Sequence, residues 1–179
     1  MIEIRTSGNG ILLRTLERSK LAAVAELYNC SRDIWYATGI TDSVSCMDID
    51  ERLFHPKTDK NEFMTGIYLQ NPNLTASGRQ FHLAGLISGF IQNKTIWIKI
   101  IAILPQYRRK GIGSRSAKLL LDYFKAEYGA VEVFLSVIKE NNTGMLFWLD
   151  QGFSESVRFN KKLFGREKRY EVIIMQKKL

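Results

Sequence analysis

Short apolar runs of period two alternate along this chain with longer stripes of helical period, the pattern of a mixed α/β fold. Ile2-Glu3-Ile4-Arg5 and Ile11-Leu12-Leu13-Arg14 flank Ser7-Gly8-Asn9-Gly10 and predict an opening hairpin. From Glu17 to Tyr28, Leu21, Val24, Ala25 and Leu27 recur at helical spacing and predict a helix laid on a sheet. Residues 29 to 62 are less regular, with a short helix expected from Asp48 to Phe54 and ended by His55-Pro56. Phe63 to Gln70 and Phe81 to Gln92 read as strands joined through the polar turn residues Asn71-Pro72-Asn73 and Ser77-Gly78. Thr95 to Leu104 predicts a central strand buried on both faces for most of its length and interrupted by Lys99.

Beyond Pro105 the pattern returns to helical spacing, with Ala117, Leu120, Leu121 and Phe124 forming an i, i+3, i+4, i+7 stripe. Arg115 and Lys118 on that helix are expected to face solvent or phosphate groups. Val131 to Ile138 reads as the next strand, and Asn141-Asn142-Thr143 starts a helix whose end is marked by Gly152. Ser154 to Asn160 and Arg169 to Gln176 then predict an antiparallel pair around the basic tip Lys161 to Arg166, read as a solvated hairpin. No internal repeat, low-complexity tract or linker divides the sequence, so residues 1–179 are expected to form a single domain.

The stretch from Ile103 to Ala117 carries the chemistry. An apolar strand stops at a proline, passes through Arg108-Arg109-Lys110-Gly111-Ile112-Gly113, and enters an amphipathic helix. Successive backbone N–H groups, with no Cβ at two positions, let the main chain wrap around phosphate oxygens, and the helix points its positive end at the same spot. The Gly-Lys-Ser/Thr ending of a nucleotide-triphosphate loop is missing, which argues against Mg-nucleotide chemistry.

The spacing Arg108-x-x-Gly111-x-Gly113 resembles the acetyl-coenzyme A loop of the GNAT superfamily of N-acetyltransferases. A second match lies downstream, where Asn141-x-x-Gly144-x-x-Phe147-Trp148-x-x-x-Gly152-Phe153 looks like that family's last helix and the glycine-aromatic after it. The resemblance implies an α/β (α+β) fold with a mixed, mostly antiparallel central sheet flanked by helices, and splayed strands forming the coenzyme A cleft. It implies acetyl-coenzyme A as co-substrate, with its pyrophosphate on Arg108, Arg109, Lys110, Gly111, Ile112, Gly113 and Ser114. Backbone groups around Ile101, Ala102 and Ile103 would hydrogen-bond the pantetheine arm and the thioester carbonyl, and Asn141 would join the cofactor site. The acceptor pocket would be walled by residues 29 to 62, which carry Trp35, Tyr36, Asp42, Asp48, Asp50 and Glu51. Those acids either recognise a cationic amine or, for Asp48 and Asp50, cap and charge-balance a helix start.

In such an enzyme the acceptor amine attacks the thioester directly, and it must be neutral to do so. Deprotonating a lysine-like amine at pH 7 costs about 4 to 5 kcal/mol, against about 1 to 1.5 for an α-amine. Where the family often has a glutamate base, this chain has Lys99 and Ser136, and Trp148 occupies the position of the tyrosine expected to protonate the departing sulfur. An indole N–H can donate a hydrogen bond but is not an acid. Leaving as thiolate at pH 7 forfeits about 2 kcal/mol, roughly thirtyfold in rate. Two readings stay open at this point: an N-acetyltransferase acting on an unidentified primary amine, and an acyl-coenzyme A-binding sensor or structural domain that has lost catalysis.

Composition narrows the remaining classes. A net charge of +8 and a pI near 9.5 draw polyanions of any kind. Neither a helix-turn-helix spacing nor an RNA-binding aromatic signature accompanies the charge, so a nucleic-acid partner is not expected. Cys30 and Cys46 have no metal-ligand spacing and are read as reduced packing residues; His55 and His82 are read as hydrogen-bonded structural residues. Without a signal-peptide pattern at Met1 or an apolar run of about 20 residues, the expectation is a cytoplasmic monomer or homodimer that does not enter a membrane.

Overall fold

The computed structural model describes residues 1–30, 34–38, 40, 42–54, 60–70, 81–162 and 169–179. Strands β1 (Arg5–Gly8) and β2 (Ile11–Thr15) form the opening hairpin, followed by helices α1 (Leu21–Asn29), α2 (Trp35–Thr38) and α3 (Cys46–Phe54). Strands β3 (Glu62–Gln70), β4 (Phe81–Gln92) and β5 (Thr95–Ile103) lead to α4 (Ile112–Tyr128). The chain then continues through β6 (Glu132–Ile138), α5 (Asn142–Asp150), β7 (Ser154–Lys162) and β8 (Arg169–Lys178). Among the described residues eight strands make one sheet in the order β1-β2-β3-β4-β5-β6-β8-β7, in which only β5 and β6 pair in parallel.

Two cores lie on opposite faces of this sheet. Helix α4 places Ala117, Leu120, Leu121 and Phe124 on one face against Phe63, Ile96, Ile98 and Val133. Helices α1 and α3 cover part of the other with Val24, Leu27 and Ile49 against Met64, Leu86 and Ala102. The expected α4 stripe is therefore the helix's buried face.

Several boundaries move for local reasons. Strand β1 starts at Arg5 and not Ile2, because Asn9 and Gly10, both at positive φ (52° and 76°), make a two-residue turn that pairs Gly8 with Ile11. Helix α1 starts at Leu21 because residues 18–20 form a 3₁₀ turn. Helix α3 starts at Cys46, where Ser45 and Asp48 cap it reciprocally. The Asp48 N–H donates to Ser45 Oγ (3.2 Å) while Asp48 Oδ2 accepts from the Ser45 N–H (2.7 Å). His55-Pro56, the turn residues between β3 and β4, and Leu163 to Arg166 of the basic tip lie outside the described residues.

Strand β5 departs most from expectation. It is not buried on both faces: Ile96, Ile98 and Ala102 are buried, Trp97, Ile100, Ile101 and Ile103 half-buried, and Lys99 exposed. The register with β4 slips from Ile98↔Gly89 to Ile100↔Ser88, leaving Lys99 as an extra residue. A bulge of one residue exchanges the faces. Ile96 and Ile98 belong to the α4 side before it, and Ile101 and Ile103 pack on that side after it.

Candidate functional site

The parallel pairing of β5 with β6 ends at Ile98↔Leu135, although β5 runs on to Ile103 and β6 to Ile138. Beyond the bulge the two strands part, while β6 stays paired with β8 as far as Ile138↔Val172. The parting leaves one edge of β5 without a strand partner and opens a cleft of about 810 Å³ lined by residues 98–103 and 135–137.

At the end of β5, Pro105 starts a 3₁₀ turn, and the Arg108 Nε–H donates to the Ile103 carbonyl (2.9 Å). Arg109 and Gly111 both take left-handed φ (57° and 69°), which curls the chain before α4 begins. Such a curl turns successive amides toward one side. Among the described residues none accepts a hydrogen bond from the N–H groups of Arg109 to Ser114. Gly111 is the N-cap of α4 and supplies no side-chain cap, so the positive helix end is open to an anion. Arg108, Arg109, Gly111, Ile112, Gly113 and Ser114 line the cleft; Lys110 is exposed and stands outside its lining.

Helix α5 forms the facing wall. Asn141 is its N-cap, accepting from the Gly144 N–H through Oδ1 (2.9 Å), and it also borders the cleft. Phe147 lies against Gly113, where an added Cβ would come within 3.3 Å of the ring, so the glycine permits close approach of α4 and α5. Gln151 Nε2 donates to Ser114 Oγ (3.1 Å) and fastens the end of α5 to the loop. Trp148 is 5% exposed, packed edge-on against Phe147 and Phe153 at 4.8 and 4.9 Å, and still contributes to the cleft wall.

The remaining wall comes from α2 and the residue before it: Ile34 and Tyr36 reach the cleft, and Trp35 stacks on Tyr36 at 4.1 Å. The described acids expected to recognise the acceptor do not reach it. Asp48 belongs to the α3 cap, Asp50 pairs with Arg18 (3.0 Å), and Asp42 and Glu51 are exposed; none of the four lines the cleft. Among the described residues its carboxylates are Glu140 and Asp150, which sequence reasoning passed over. The position of Glu140 directly before the helix-start Asn141, at a strand-to-helix turn, was the available signal. Lys99 lines the cleft while paired with Glu62, and Ser136 lines it from β6.

His82, Cys30, Arg115 and Lys118 do not line the cleft. The hydrogen bond expected of His82 is not found at its Nε2, which is buried without a partner among the described residues, and its ring packs 5.2 Å from Tyr107. His55 is outside the described residues. Burial pushes the Cys30 thiol up, opposed by Arg108, and the thiol donates to the Leu27 carbonyl (3.0 Å), which disfavours a nucleophilic thiolate. Lys118 pairs with Asp122 (2.7 Å), and Arg115 engages main-chain carbonyls, so neither is directed at the cleft. Among the described residues no three His, Cys, Asp or Glu side chains gather as a metal site requires, and no helix is long and apolar enough to cross a membrane.

A split parallel pair, an open helix N-terminus beneath a curled glycine loop, and a mostly antiparallel sheet together make an open cleft whose loop end is ready for an anion. Residues 23–153 match the model of the acetyltransferase (GNAT) family, and the chain belongs to that family. It is an N-acetyltransferase with acetyl-coenzyme A as co-substrate and an amine as acceptor. It is 25% identical over 150 residues to the spermidine N(1)-acetyltransferase of Escherichia coli, covering 83% of this chain and 75% of that protein. Spermidine N-acetyltransferase from Vibrio cholerae, solved with CoA and spermine, superposes with a TM-score of 0.77 at 21% identity over 96% of both chains. A probable acetyltransferase of the GNAT family from Chromobacterium violaceum gives 0.81 at 13% identity, over 99% of this chain and 87% of that one.

Proposed function

We propose that the cleft between β5 and β6 is the site of acetyl transfer, that the amides of residues 109 to 114 seat the cofactor's pyrophosphate, and that the acceptor is a small primary amine. The supporting observation is the run of amides without acceptors among the described residues, set at the open end of α4 where the two strands part. Arg108 and Arg109 border that seat and Lys110 adds charge from outside it. The edge of β5 at Ile101, Ala102 and Ile103 has lost its strand partner. It therefore supplies backbone donors for the pantetheine arm and for the oxygen on which charge develops. Asn141 acts through its cap, orienting α5 along the opposite wall. The amine enters past Tyr36 and Ser136, loses its proton to water or to a carboxylate of the wall, and attacks the thioester carbon; the carbon–sulfur bond breaks with the sulfur leaving as thiolate beside Trp148, and the second proton shed by the nitrogen passes through water to that thiolate.

Names of relatives that act on spermidine make polyamines the first acceptors to test. We place the reaction in the cytoplasm, with the whole of residues 1–179 as one catalytic unit and no nucleic-acid partner. Release of free coenzyme A is the first measurement, against polyamines, aminoglycosides, amino acids and peptide N-termini. Turnover with one class identifies the acceptor, whereas tight acetyl-coenzyme A binding with no turnover on any class would overturn a small primary amine as the acceptor. Calorimetry on Gly111→Val tests the loop: a branched side chain at φ +69° disturbs both the curl and the approach of phosphate, and acetyl-coenzyme A affinity is expected to fall about tenfold or more. Unchanged affinity would remove the pyrophosphate from this loop.

A further inference from the structure

Arg115 lies on α4 outside the cleft lining, yet its side chain is committed to three main-chain oxygens. Nη1 donates to the Asn9 carbonyl in the β1–β2 turn (2.9 Å), Nε approaches the Gly111 carbonyl at 3.4 Å, and Nη2 approaches the Lys110 carbonyl at 3.5 Å. The Arg115 N–H also donates to the Gly111 carbonyl (3.0 Å).

In a planar trans peptide the C=O and the following N–H point in opposite directions. Holding the Lys110 and Gly111 oxygens toward the guanidinium therefore turns the N–H groups of Gly111 and Ile112 the other way, and both residues line the cleft. The far anchor is firm. Asn9 holds φ at 52° in a turn whose strands pair Gly8 with Ile11, and β2 joins the sheet through β3.

We propose that Arg115 is a positioning residue, which braces the cofactor loop against the Asn9 turn and so fixes the direction of its amides. The inference rests on the reading of this loop as the pyrophosphate seat. It differs from a role in long-range attraction, because a lysine would keep the charge and lose the planar fork.

The test uses the full chain, with calorimetry for acetyl-coenzyme A, steady-state kinetics and thermal unfolding. Arg115→Lys is expected to raise Kd and KM for acetyl-coenzyme A roughly tenfold while kcat stays within about twofold, since oriented amides and not charge are lost. Gly10→Val strains the distant turn, where φ is +76° and a Cβ has open space, and is expected to weaken cofactor binding by a few-fold. The double variant should bind no worse than Arg115→Lys alone, because one brace cannot be broken twice. Lys118→Gln, which removes a charge one turn further along, should leave affinity unchanged. Wild-type affinity in Arg115→Lys overturns the proposal, as does a loss shared equally by kcat and accompanied by a matching fall in melting temperature. If Gly111→Val also binds normally, the seat itself is misplaced; if only that variant fails to bind, the seat stands and the brace does not.

Discussion

Trp148 shows how one residue can satisfy a spacing and still have another task. Seven residues after Asn141, it was expected beside the cofactor's sulfur. It does border the cleft, but its ring is wedged between Phe147 and Phe153, and the latter is brought back by the Phe153 N–H donating to the Trp148 carbonyl (3.1 Å). Substituting Trp148→Tyr removes ring volume from a packed site, which costs about 1–3 kcal/mol. In a chain of this size each kcal/mol lowers the melting temperature by about 2–4 °C. Thermal unfolding should record that loss, and pre-steady-state acetyl transfer should show no gain. A rise approaching the roughly thirtyfold set by the thiol pKa would instead make the phenol a proton donor at sulfur. The helix and the inward direction of Trp148 were legible from the Asn141 and Gly152 signals. Its aromatic neighbours were not, because Phe153 returns only through the turn that ends α5.

Among the elements, α5 and β5 each carry a local constraint that a single change can test. A Cβ on Gly144 would lie 2.4 Å from Asn141 Nδ2, so Gly144→Ala expels the capping amide. The expected cost is about 0.5–2 kcal/mol, the usual worth of such a cap. Chemical denaturation should give Asn141→Ala a similar loss and the double variant little more. For β5 the decisive feature is Lys99. Deleting it would close the register against β4 while leaving Ile101 and Ile103 on the α4 side, because Ile98 and Ile101 would then stand two positions apart, and it would remove the irregularity beyond which β5 and β6 part. The deletion is expected to keep the folded signal in circular dichroism and to lower coenzyme A release by narrowing the cleft; a cooperative deletion variant with wild-type activity would refute this reading of the bulge. Strands β3 and β4 were readable because polar and turn residues bounded them. The bulge was hidden because isoleucines occupy both faces of β5, so the apolar pattern has no phase to break, and the lone lysine was its only trace. The Ser45–Asp48 cap was likewise present in sequence, and it accounts for an acid that otherwise reads as acceptor recognition.

For the whole molecule, the two substrates present opposite electrostatic problems to a chain of net charge +8. Acetyl-coenzyme A is a polyanion drawn toward Arg108, Arg109 and Lys110, whereas an amine acceptor arrives as a cation at a protein of its own sign. The sheet keeps these approaches apart, since the loop lies at the head of α4 and Tyr36 comes from α2, which contacts the edge where β5 and β6 part. Raising ionic strength from about 0.01 M to 0.15 M shortens the Debye length from about 30 Å to about 8 Å, screening both fields. KM for acetyl-coenzyme A should therefore rise with salt while KM for a polycationic acceptor falls, and the effect on a monoamine should be smaller than on a polyamine. Steady-state kinetics with each substrate varied in turn would show the crossing. If both constants rise together, the acceptor is held by carboxylates that outweigh the net charge, and Glu140 and Asp150, the acids of the described cleft, become the first residues to neutralise.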